Sequence, residues 1–187
     1  MVSRKYAGDY RLENVKDKNG KLVTKAVYRG EIFGFERSGE EMRSLRRIFL
    51  VSTICEWVFL IAFLFINSDK GRVLYVSLPM IAAAFPLLGQ SDTVGLLYRK
   101  SGEYKRQEKD RITERLVSYI FISFFLALCS AVGHVAAWIR KGESTADAVQ
   151  LVLTVLFVFT SWNLFSKREG LKMKSTGTTV LPETEEE

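Results

Sequence analysis

Glu56 stands where a carboxylate is costly. It lies near the midpoint of residues 48–66, IFLVSTICEWVFLIAFLFI, a stretch otherwise apolar except for Ser52 and Thr53. An ionisable side chain at the centre of a bilayer costs at least ~2.5 kcal/mol on insertion scales, which makes such a residue a functional candidate. Ser52 and Thr53 precede it by four and three residues, so all three share one helix face, expected to point into a bundle. A charge at that depth needs a cation or strong donors. No Lys or Arg occurs within any other apolar stretch, so a buried ion pair inside one subunit is not expected. Two uses remain. Glu56 handles a proton or cation, or it is a protonated acid bonded to Ser or Thr hydroxyls that hold helices together. Ser123, Cys129 and Thr154 lie at comparable depth in later stretches.

His134 is the chain's single histidine. At helical spacing it shares a face with Ser123, Ala127, Ser130 and Ala137, and Gly133 adjoins it, a small and polar stripe suited to close helix contact. It falls roughly 10 Å in depth from Glu56 at 1.5 Å rise per residue, so a hydrogen-bonded histidine near the far end is expected, not a Glu–His pair. Both cysteines, Cys55 and Cys129, fall in apolar stretches, where a thiol acts as a small hydrophobe. There is no metal-ligating spacing, no nucleophile–base pair and no phosphate loop. The sequence therefore predicts no catalytic residues, no metal and no cofactor.

These residues must be positioned by four apolar stretches, 48–66, 73–89, 116–138 and 148–165. Nineteen helical residues span about 28 Å, close to the ~30 Å hydrocarbon core of a bilayer. The expected fold is an all-α integral membrane protein, a four-helix transmembrane bundle with a small N-terminal β-hairpin extension. Overall composition resembles that of a soluble protein, but the apolar residues are gathered into blocks separated by charged segments. Residues 67–72 form so short a link that the second span must fold back beside the first. Pro79 and Pro86 are expected to kink that span, with Ala82, Ala83 and Ala84 admitting a close neighbour. Residues 90–115 form the central connection, in which Gly102 precedes a solvated helix leading into the third span.

The domain pattern follows: residues 1–37 as the hairpin extension, 38–174 as the four-span unit, and 175–187 as an acidic disordered tail. No apolar run long enough for a signal peptide occurs in the first 40 residues, so the first span is expected to direct insertion. Asn19-Gly20 suits a two-residue type I′ turn, which would set Lys18 opposite Lys21, Leu12 opposite Val27 and Arg11 opposite Tyr28. A two-stranded ribbon is marginal alone, so residues 31–35 are expected to add a third strand, or the ribbon to dock on a membrane surface or partner. Ser38 and Glu41 have capping-box spacing and should start a helix that runs into the first span.

Lys and Arg number twelve before the first span, seven in the central connection and four after the last span, against four in the two short loops. That asymmetry predicts cytoplasmic termini, most simply in the plasma membrane. Tyr75 and Trp138 would lie near the outer interface and Trp162 near the inner one. Arg43, Arg46, Arg47, Arg99, Lys100, Arg111 and Arg115 would then face anionic headgroups of the lipid bilayer, and this placement explains the basic charge without nucleic acid. The expected function is a non-enzymatic scaffold or accessory subunit working through its cytoplasmic segments, with a second copy or another membrane protein as partner. The alternative is a proton-coupled small-molecule transporter using Glu56. Four spans with a carboxylate in the first resemble the small multidrug-resistance transporters in those two respects. The long N-terminal lead, the basic central connection and the strong charge bias depart from that family's build.

Overall fold

The computed structural model describes residues 4–16, 22–66, 73–100, 102–141 and 144–177. Its four long helices are each long and apolar enough to cross a membrane. Ser38 caps the first, α1 (Gly39–Phe65), its Oγ accepting from the Glu41 N–H at 3.4 Å. The second is broken at Ala83 into α2 (Leu74–Ala82), which contains Pro79, and α3 (Ala84–Arg99). The third comprises α4 (Arg106–Asp110), one wide π turn over Arg111–Arg115, and α5 (Leu116–Lys141). The fourth is α6 (Thr145–Ser166), where Ser144 and Asp147 exchange backbone-to-side-chain bonds at 3.2 Å in a capping box.

The packing is legible as a seam. Buried positions on α1 are Met42, Leu45, Phe49, Thr53, Glu56, Leu60 and Phe63; on α6 they are Asp147, Gln150, Thr154, Phe157, Ser161 and Leu164. Every step is three or four residues, the spacing of helices that pack near-antiparallel with knobs in holes. Helix α6 touches α1 and α5, while α3 joins α1 to α5 and α2 leans on α5, which closes a ring. Outside the seam the exposed residues are large and apolar, among them Val51, Ile54, Val58, Phe85, Phe125, Val132, Val152 and Phe159.

One predicted boundary moves. The second span does not stop at Gly89: the helix continues through Arg99, so residues 90–99 belong to it and not to the connection. Gly89 is there for room, since a Cβ at that position would sit 2.6 Å from the Tyr119 ring. A glycine in an apolar helix marks a close neighbour as readily as an end. The link between residues 67 and 72 lies outside the described residues.

At one end of the ring lie two small sheets. Strands β1 (Tyr10–Lys16) and β2 (Leu22–Tyr28) pair antiparallel with Tyr10 opposite Tyr28, Arg11 opposite Val27 and Leu12 opposite Ala26. This is one residue off the expected register. Lys16 opposite Leu22 leaves five residues between the strands, an odd number that a two-residue turn cannot supply; Asn19-Gly20 itself lies outside the described residues. Edge-to-face packing of Tyr10 on Tyr28, centroids 5.2 Å apart, accompanies the observed register.

The expected third strand exists as β3 (Ile32–Phe35), but it does not join the hairpin. It pairs with β4 (Tyr104–Lys105) on one side and β5 (Met173–Gly177) on the other. Residues 175–177, expected to be disordered, are therefore strand, because the unsatisfied edge of β3 offers their backbone partners; residues 178–187 lie outside the described residues. The hairpin is anchored separately. The Tyr28 hydroxyl accepts from the Arg106 N–H at 3.1 Å and donates to the Glu31 carbonyl at 2.6 Å, while Lys5 and Tyr6 bond the Asp110 carboxylate at 2.8 and 2.9 Å.

Candidate functional site

Glu56 is completely buried. Its Oε2 accepts from Gln90 Nε2 of α3 at 2.5 Å, and its Oε1 from Ser161 Oγ of α6 at 2.5 Å. Gln90 Nε2 also donates to Thr53 Oγ1 at 3.0 Å. One carboxyl therefore ties three helices. Ser52 is only half-buried and is not among the partners of the carboxyl; Thr53, the neighbour on the inner side, is the one that joins.

The layer has apolar walls above and below. A first cluster contains Phe49, Val94, Leu97, Ile120 and Leu164; a second contains Leu60, Met80, Leu87, Ala127 and Phe157. On each helix the polar residue falls between them: Glu56 between Phe49 and Leu60, Gln90 between Val94 and Leu87, Ser123 between Ile120 and Ala127, Ser161 between Leu164 and Phe157. Two buried atoms of this layer, Gln90 Oε1 and Ser123 Oγ, have no hydrogen-bond partner. Thr154 bonds its own turn, to the Gln150 carbonyl at 2.9 Å, and Cys129 is half-buried.

Sequence reasoning missed Gln90 and Ser161. Ser161 carried a signal, since it repeats the face of Thr154 seven residues on. Gln90 was hidden by the boundary assigned at Gly89.

A second polar set lies toward the end opposite the sheets. His134 Nδ1 is 3.3 Å from the Ser130 carbonyl and Nε2 is 3.4 Å from Gln150 Oε1; Gln150 Nε2 donates to the Phe63 carbonyl at 3.0 Å. Ser130 Oγ donates to the Val76 carbonyl at 2.8 Å. Pro79 has no N–H to offer the Tyr75 carbonyl, and Gly133 passes so close that a Cβ there would lie 3.0 Å from that oxygen. His134 and Glu56 thus belong to different layers.

The basic residues divide. Arg43, Arg47, Arg99 and Arg115 are exposed. Arg46 turns inward, donating to the Tyr104 hydroxyl at 3.2 Å with its guanidinium 5.9 Å from the Phe35 ring, and Lys100 pairs with Glu108 at 2.6 Å. Both serve the sheet end, where the buried Tyr104 hydroxyl accepts from Arg46 and donates to the Lys100 carbonyl at 2.5 Å. Burial, opposed by Arg46, raises the Tyr104 phenol above its ordinary value. Arg111 faces Asp92 at 3.7 Å. Among the described residues no three His, Cys, Asp or Glu side chains converge as a metal site.

Fold and site together define a chain of four long apolar helices organised around a buried carboxyl layer and closed at one end by two small antiparallel sheets. Set against protein families, curated proteins and solved structures, this chain matches none.

Proposed function

We propose that the chain is an integral membrane protein, a four-helix bundle with cytoplasmic termini, which acts as a scaffold or accessory subunit through its sheet end. The observation that carries this reading is β3 itself: four residues that join the N-terminal segment, the connection between the second and third spans, and the segment after the fourth. A surface assembled from every segment on that side suits partner binding, and the positive charge concentrated there suits the inner leaflet. Both Glu56 oxygens have donors, which supports a structural carboxyl. The test is capture in mild detergent by the full chain with an exposed sheet-end pair altered, Lys172→Ala with Lys174→Ala. Loss of a stoichiometric partner with the bundle intact supports the scaffold; no partner under any condition opposes it.

A second reading, a proton-coupled transporter, is favoured by two buried unpartnered atoms, Gln90 Oε1 on the amide that bonds the carboxyl and Ser123 Oγ, which are spare sites for a hydrogen-bonding guest. Glu56→Gln in liposomes separates the two. Loss of pH-dependent uptake or proton release supports the carrier, and unchanged behaviour with intact assembly supports the scaffold.

A further inference from the structure

A cleft of about 370 Å³ opens between the start of α1 and the end of α6, with Arg37, Glu41, Lys167 and Glu169 at its rim and Leu45 and Ile48 as its inner wall. We propose that this cleft binds the headgroup of a phospholipid bearing a primary amine, of the phosphatidylethanolamine type. The inference rests on the membrane reading above.

The rim carries two cations and two carboxylates, and a purely anionic headgroup would leave the Glu41 carboxylate without a counter-charge. It matches a zwitterion. Glu169 is already bonded to Lys172, whereas Arg37, Lys167 and the Glu41 carboxylate make no ion pair among the described residues. Arg37 and Lys167 are then available to a phosphate diester, and Glu41 to an ammonium that can donate hydrogen bonds.

Arg37 lies against Gly170. A Cβ on Gly170 would lie 3.1 Å from Arg37 Cζ, 3.2 Å from Nε and 2.8 Å from a Leu45 methyl. The missing side chain is the space the guanidinium stem occupies. Depth supplies the second constraint: Ile48 begins the apolar stretch, and below it the neighbouring surface is exposed hydrocarbon, Val51 on α1 and Trp162 on α6. A ligand seated at this rim would lay acyl chains along that surface, which is why the assignment is to a lipid and not to a soluble zwitterion.

The experiment titrates the purified full-length protein in detergent with phosphatidylethanolamine, phosphatidylcholine and phosphatidylglycerol of identical chains, read by native mass spectrometry and thermal shift. A quaternary ammonium cannot donate a hydrogen bond, so the ethanolamine lipid should bind roughly tenfold tighter than the choline lipid, the ratio expected for one charge-assisted bond. Glu41→Gln should erase that ratio and, by removing a negative charge from the rim, tighten binding of the anionic glycerol lipid. Gly170→Ala should weaken all three, as Arg37→Gln does. Equal binding of ethanolamine and choline lipids, or a preference surviving Glu41→Gln, overturns the site. So does glycerophosphoethanolamine competing as well as the whole lipid, since that makes the ligand water-soluble. A protein that stays monodisperse without detergent would instead sink the membrane reading, a separate outcome.

Discussion

At the scale of single residues, the bundle turns on how Glu56 is satisfied. Ser161→Ala removes one donor and should cost about 0.5–2 kcal/mol, while Gln90→Leu strips both the carboxyl and Thr53 and should cost about 1–3 kcal/mol. Because both act on one carboxyl, the double variant should fall short of the sum; reversible unfolding in mixed micelles measures it. Glu56 was legible from the sequence because a lone acid in an apolar run is costly whether it serves function or packing. Its partners were not, because an amide and a hydroxyl are cheap enough inside a membrane to attract no notice until a second group faces them. The face predicted for Ser52, Thr53 and Glu56 was too broad. Only side chains three or four apart along the seam reach the interior, and Ser52 sits at its margin.

At the scale of elements, close approach explains what helix propensity could not. Gly89 admits the Tyr119 ring and Gly133 admits the Tyr75 carbonyl. Gly89→Ala should therefore destabilise the bundle by about 1–3 kcal/mol through overpacking, and Tyr119→Ser should restore most of the loss in the double variant, even though alanine favours helix over glycine. Thermal melts of the three variants decide it; an alanine that stabilises the parent would refute the packing assigned to Gly89. The four apolar helices could be read from composition blocks, but the strand pairing could not. Register in the hairpin depends on the residues between Lys16 and Leu22, and the partners of β3 are 71 and 142 residues away by the observed pairing of Phe33 with Tyr104 and Ser175. No local pattern encodes them.

At the scale of the molecule, polarity runs inside out. Buried seams hold Glu56, Gln90, Ser123, Ser130, His134, Gln150 and Ser161, while Val, Leu, Ile and Phe face outward, an arrangement that water opposes and hydrocarbon accepts. The sheet end should behave as part of this body. Amides of β3 should exchange more slowly than those of β1 despite the shorter strand, because β3 is paired on both sides and its Ile32 is fully buried. Hydrogen exchange followed by mass spectrometry checks this, and equal rates would show the sheet end to be loosely attached.

The most direct test of the four-span account is cysteine accessibility in intact cells, with Cys55 and Cys129 replaced by Ala and single cysteines placed at Asp69, Glu103 and Lys174. A membrane-impermeant maleimide should label position 69 from outside, and positions 103 and 174 only after permeabilisation. Labelling of position 103 in intact cells, or recovery of the protein in the soluble fraction after carbonate extraction, would contradict it.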